Sequence, residues 1–346
     1  MYKKIMNIIL LMLLSGCGFH KCDKGSTFNP LMIYKDRKKE KTNIFFQDEI
    51  FGIVLTKNKQ ILYEKEQGLL LGELENNSYY KKNLLYGSTN ILKYNVSNEN
   101  EVVFLEGDTL KSIDINTKQV TTIAQDTEIN NLVDSGNQIW SISKQHILYR
   151  KNNYDYVLRD VIHKNNIYTI TADNNIYYNA DLSVYGDKLV VFEPIMDGLS
   201  SESNPPYKIK IIDIQTNTIE KLNSMTYGMS GKYGHRKSFY HNKIIYEKIF
   251  PNISSFYQVF CVITVYNYIS KKETELGNIF NISNKELKGA YSGITGFFSY
   301  DAKGLYANII LCGSEVGFED ELEGGYTKEE VEGIWWIDIS DLNLDS

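Results

Sequence analysis

The chain has 346 residues, a formal net charge of -6 and an isoelectric point near 5.5. An acidic chain does not build the basic surface that tracks phosphates, so nucleic acid is excluded as a partner. Of its 4 cysteines Cys17 follows closely on the N-terminal apolar segment, and Cys22, Cys261 and Cys312 allow one disulfide at most, which excludes a disulfide-stapled scaffold.

The N-terminus reads MYKKIMNIILLMLLSGC: a basic start at Lys3 and Lys4, an apolar stretch from Ile5 to Leu14, then Leu-Ser-Gly-Cys. The apolar stretch is shorter than the roughly 20 residues that cross a bilayer as a helix, so it serves as an export address. Its ending resembles the bacterial lipobox, in which the cysteine thiol takes a diacylglycerol and becomes the new N-terminus. The resemblance implies a signal peptide over residues 1–16, lipidation at Cys17, and a mature protein held on the outer face of the cell membrane. Residues 17–42 are polar and lysine-rich, a tether with one possible strand. Their basic run KDRKKEK (35–41) reads as a solvated segment, with contact to anionic lipid as the alternative.

From residue 43 onward two hairpin types alternate. The first returns at 45–55, 94–105, 132–142, 182–192, 237–247 and 297–309, each a short strand, a turn of Asp, Asn, Gly or Ser, and a more apolar strand. The second occupies 60–74, 109–123, 146–160, 208–222 and 262–276, with 333–344 closing the series; Ile-Asp-Ile before a polar turn recurs in it. Two hairpins per unit make four antiparallel strands, and six units of about 50 residues suit the blades of a β-propeller spanning 43–346. Seven blades is the alternative count. No run after residue 20 has a convincing helical period, which argues against a parallel doubly wound sheet.

The turns GDKLVVF (186–192) and YDAKGLYANI (300–309) resemble the blade openings of the TolB-like six-bladed propellers. That resemblance implies architecture only. Closure of the ring requires strands from both chain ends in one blade, and the last blade is short of an outer strand. LMIY (31–34) is expected to supply it.

In such blades the B–C loops and D–A links emerge on one face, and the A–B and C–D turns on the other. The long connections, 195–206, 250–258, 312–332, 223–236 and 277–296, are all of the first kind and crowd one sector. A ligand, protein, peptide or glycan, is expected there, near Tyr227, Tyr233, His235, Arg236 and Tyr291, flanked by Phe256, Tyr257 and Phe318.

Catalysis has weaker support. GMSGKYGHR lacks the spacing of a phosphate loop, Ser230 lacks the glycine of a nucleophile elbow, and His235 and His241 stand apart without carboxylates. The acidic stretch from Glu315 to Glu323 does not follow EF-hand spacing. Neither metal nor cofactor is expected. Four scattered arginines cannot form the carboxylate clamp of a sialidase-type propeller. Should the chain act on glycans as a hydrolase or lyase, Glu193 and Glu247 are the first carboxylates to examine; a structural role in the envelope is a further alternative.

Overall fold

The structure is a computed structural model that describes residues 38–41, 53–75, 79–151, 155–171, 181–194, 206–227, 237–240, 242–251, 259–276, 290–299, 301, 303–313 and 333–342. They form 24 strands and one short α-helix, with a 3₁₀ turn at Ser340–Leu342. The strands group into six blades of four antiparallel strands, the arrangement of a β-propeller.

The first blade is β2 (Ile53–Thr56), β3 (Lys59–Glu64), β4 (Gly68–Glu75) and β5 (Tyr79–Gly87). The second is β6 (Ile91–Asn98), β7 (Glu101–Glu106), β8 (Thr109–Asp114) and β9 (Val120–Gln125). After the helix α1 (Glu128–Asp134) comes the third, β10 (Gln138–Ile142), β11 (His146–Arg150), β12 (Asp155–Asp160) and β13 (Asn165–Thr171). The fourth is β14 (Asp181–Tyr185), β15 (Lys188–Pro194), β16 (Pro206–Asp213) and β17 (Ile219–Tyr227). The fifth is β18 (Lys237–Tyr240), β19 (Lys243–Pro251), β20 (Val259–Asn267) and β21 (Lys272–Glu275). The sixth takes β22 (Ala290–Phe298), β23 (Gly304–Gly313) and β24 (Gly333–Asp338) from the C-terminal side and β1 (Lys39–Lys41) from the N-terminal side.

That last pairing closes the ring. β1 runs antiparallel to β24, with Lys39 opposite Ile337 and Lys41 opposite Trp335. The expected outer strand is therefore supplied from the N-terminal side, but by residues 39–41 of the basic run; LMIY (31–34) lies outside the described residues. Because β24 ends at the C–D side, the chain enters β1 from the face of the short turns. The first blade meets the sixth where Asp301 N–H donates to Leu55 O at 2.9 Å and where Lys57 Nζ meets Glu40 Oε2 at 2.5 Å.

Successive side chains of a strand face opposite ways, and here each way leads to a neighbouring blade. In β11, Ile147 and Tyr149 pack with Val103, Leu105 and Leu110 of the second blade. Leu148 between them packs with Leu182, Val184 and Leu189 of the fourth. The core is thus divided among blade interfaces, and the inner strands read as continuous apolar runs because both their faces are covered.

Each blade carries the same tie from the end region of strand C to its A–B turn. The first residue past the Asp-type position of strand C donates its N–H to a carbonyl in the A–B turn. The pairs are Leu74 to Asn58, Ile115 to Asn100, Val161 to Gln145, Ile214 to Asp187, Tyr268 to Asn242, and Ile339 to Lys303, all between 2.8 and 3.0 Å. In the second to fifth blades the preceding side chain caps the C–D turn. Asp114 Oδ1 accepts from the N–H groups of Asn116 and Thr117, Asp160 Oδ1 from Ile162 and His163, and Asn267 Oδ1 from Ile269 and Ser270. This Asx turn is the physical content of the recurring Ile-Asp-Ile. Four of these turns then place a non-glycine residue in the left-handed region: Lys118, Lys164, Asn217 and Lys271, with φ from 57 to 59°.

The alternating hairpins match the A–B and C–D pairs of the second, fourth and fifth blades. In the first and third the pairing is displaced by one strand. HILYR and DYVLRD are strands B and C, and residues 132–134, expected to open a hairpin, end the helix α1.

Candidate ligand-binding site

A cleft of about 1010 Å³ opens on the face of the short turns, across the second to fifth blades. It is built from the end of the A strand β6, from the A–B turns of the third to fifth blades, and from the C–D turns of the fourth and fifth. The strand ends that flank the long connections lie on the opposite face.

At its centre the fourth blade turns through Tyr185, Gly186, Asp187 and Lys188. Gly186 has φ +56°, a left-handed conformation that glycine adopts without strain. The turn directs Lys188 between two carboxylates, with Nζ 2.8 Å from Asp187 Oδ1 and 2.7 Å from Asp213 Oδ2. Burial works against the Lys188 ammonium, but these two partners prevail and hold its pKa above the ordinary value. The same ammonium, with the Thr216 N–H, holds the Asp213 carboxyl well below its usual range. Lys188 also lies 5.5 Å from the centre of the Tyr268 ring, a cation–π contact. Burial pushes the Tyr268 phenol far up, with Tyr185 and Asp187 adding to the shift. Tyr185 stacks on Phe239 of the fifth blade, centroids 5.2 Å apart and planes 12° from parallel.

The other two lysines of the cleft are also paired: Lys144 with Glu101 at 2.5 Å and Lys271 with Glu220. Asn95 donates to Ile142 O of the third blade at 3.1 Å, joining two inner strands at the cleft floor. Asn242 donates to Asn267 and accepts from Lys243. Beside these groups two aliphatic side chains stand in solvent, Ile219 at 59% and Ile269 at 72% exposure. Under the cleft His146 is 4% exposed, its Nδ1 3.3 Å from Gly186 O. Burial is the largest influence on this imidazole and lowers its pKa, against the pull of Gly186 O, Asp160 and Asp187.

Of the residues expected to form a site, two have their backbone in described strands. Tyr227 ends β17 and Tyr291 lies in β22, with side chains outside the described residues. Tyr233, His235, Arg236, Phe256, Tyr257, Phe318 and Cys17 lie outside the described residues altogether. The flanking strands do make the long connections B–C loops or D–A links of the fourth to sixth blades. Glu193 in β15 pairs with Lys210 of the adjacent strand at 2.5 Å; Glu247 lies in β19, its side chain outside the described residues. Among the described residues no three His, Cys, Asp or Glu side chains gather as a metal would require.

Sequence reasoning missed the cleft because its lining comes from turn positions spread over residues 95–271, none unusual alone. The one available signal was the apolar residue in two C–D turn tips, Ile162 and Ile269, where the second blade has Asn116.

No family model and no curated protein matches the chain. Among solved structures it is similar to the tricorn protease, with a TM-score of 0.39 and 11% identity over 89% of this chain and 36% of that one. It thus spans about a third of that protease chain. It is also similar to U3-55K, with a TM-score of 0.36 and 10% identity over 87% of this chain and 98% of that one. The β-propeller domain of the Trilobed protease from Pyrococcus furiosus gives a TM-score of 0.36 and 11% identity, with 80% and 81% covered. At these identities none transfers an activity.

Proposed function

We propose that this chain is an exported binding propeller, anchored to the outer face of the membrane through lipid on Cys17, which holds its ligand in the turn-face cleft and does no chemistry on it. The observation that carries the reading is the cleft of about 1010 Å³, a volume of the size that ligand sites have. Its charged groups are tied in ion pairs, which suits holding a ligand in a fixed frame better than moving protons. Export and anchoring are supported by the leader and the Leu-Ser-Gly-Cys sequence. Because β1 begins on the turn face, an anchor at Cys17 would leave the cleft on the tethered side. The intervening stretch of about 20 residues spans at most roughly 70 Å.

Hydrogen exchange with and without solubilised envelope fragments from the cell of origin tests this reading. Protection of the turns 185–188 and 268–271 is expected. Protection confined to 195–206, 228–236 and 314–332 would move the site to the opposite face and reject the cleft. The anchor is tested separately: Cys17→Ser should shift the protein from the membrane fraction to the soluble one, and an unchanged distribution rejects lipidation.

A further inference from the structure

Resting on the reading of the cleft as the ligand site, we infer that its ligand is a protein segment carrying aliphatic side chains and no net charge, rather than a glycan. A glycan site offers unsatisfied amides and carboxylates together with open ring faces. Here those groups are already engaged. Asn95 and Asn98 each give one hydrogen bond and accept another from backbone, and Asn242 does the same with side chains. Ser97 donates to Glu101 at 2.6 Å. One face of the Tyr185 ring lies on Phe239, and Lys188 covers a face of Tyr268.

Charge points the same way. Lys144, Lys188 and Lys271 each have carboxylate partners within the cleft or at its edge. A charged ligand would compete for these partners, whereas a neutral one leaves the pairs in place. Beside the paired lysines, the cleft leaves two aliphatic side chains open to a partner, Ile219 and Ile269 at its rim. The apolar exposure continues past the rim, with Ile162 51% exposed in the C–D turn of the third blade and Val120 39% exposed at the same turn of the second. Four neighbouring blades thus present an apolar residue on the face that holds the cleft. An apolar arc beside a preformed, charge-balanced hollow matches side chains of a polypeptide lying across it.

The test pans a library of random 12-residue peptides displayed on phage against the full chain. Enriched peptides are then measured against three forms: wild type, an Ile219→Ser and Ile269→Ser double variant, and Leu84→Ser, an exposed aliphatic of β5 outside the cleft. Enriched peptides should be rich in aliphatic residues and close to neutral. They should bind the double variant at least tenfold more weakly, bind Leu84→Ser as tightly as wild type, and protect turns 185–188 and 268–271 from hydrogen exchange. Matching thermal melts of the three forms show that any loss is local. Peptides that are strongly charged, or that bind the double variant unchanged, overturn the inference. Protection of those turns by cello- or chito-oligosaccharides, with no peptide enriched, overturns the polypeptide class while the cleft stands. Absence of protection by either probe overturns both.

Discussion

Arg159 and Asp126 form a buried ion pair that latches the third blade to the link leaving the second. Arg159 Nε lies 2.6 Å from Asp126 Oδ2 and Nη2 3.2 Å from Oδ1, with side-chain exposures of 10% and 3%. Asn166 Oδ1 takes a third guanidinium hydrogen at 3.2 Å. The link continues into α1, whose Ile129 is fully buried in the same interface, so the pair fixes where the helix lies. Removal of one partner strands a charge away from water and costs about 3–5 kcal/mol. Asp126→Ala is therefore expected to lower stability by about that amount in urea unfolding, while Arg159→Met with Asp126→Leu together recovers much of it. A loss below about 1 kcal/mol for the single variant would show that water reaches the pair.

Gly304 begins the second strand of the closing blade beneath Trp336. A Cβ added there would stand 2.1 Å from Trp336 Cζ2, and the Trp336 residue is only 8% exposed. Replacing glycine gains up to about 1 kcal/mol through the unfolded chain, but overpacking of a filled site costs about 1–3 kcal/mol. Gly304→Ala should be a net loss and shift tryptophan emission. A stabilised variant with unchanged emission would mean that the ring does not lie on the glycine.

Closure by β1 separates two effects of different size. The Lys57 and Glu40 side chains are 38% and 37% exposed, so their ion pair contributes at most about 1 kcal/mol. The strand itself covers β24, and Lys38 O accepts from Asp338 N–H at 2.9 Å. Glu40→Ala should barely move the melting temperature. Deletion of residues 38–41 should lower it by several degrees; equal melts for both would remove β1 from the blade.

Acid should act in two stages. Burial keeps His146 neutral in the fold with its pKa below the ordinary 6.5, so its contribution is complete above about pH 6.5 and is lost as pH falls through the lower, folded value. Burial works against the charged form of Asp160. Hydrogen bonds from His163 and Gln145 nevertheless hold it at about 2 against an ordinary 3.8. That contribution, about 2 kcal/mol, is present above pH 4 and lost on approach to pH 2. Urea midpoints from pH 8 to 3 should show both declines, and His146→Gln should abolish the upper one alone. An upper decline that persists in the variant assigns it to another group.

Much of this architecture was legible because the Asp or Asn that ends strand C works locally. Its side chain caps the turn, so Asp114, Asp213 and Asn267 mark their blades in the sequence. The first and third blades slipped by one strand because their outer strands carry little pattern. β13, NNIYTIT, mixes exposed and half-buried positions without regular alternation and with none fully buried, and Gln-Ile-Trp-Ser-Ile after Asp-Ser-Gly-Asn imitates a hairpin although Leu132–Asp134 belongs to α1. The turn-face cleft was less legible. Loop length is conspicuous in a sequence, whereas a hollow made where Tyr185, Lys188 and Tyr268 meet depends on two turns joined only by folding.

The sixfold tie from strand C to the A–B turn is tested most directly by residue-resolved hydrogen exchange. The wheel predicts that the amides of Leu74, Ile115, Val161, Ile214, Tyr268 and Ile339 exchange as slowly as the inner strands, while tip amides such as Thr117 and His163 exchange faster. Any of those six exchanging at the rate of unstructured chain would contradict the account, because its blade would not be part of the ring.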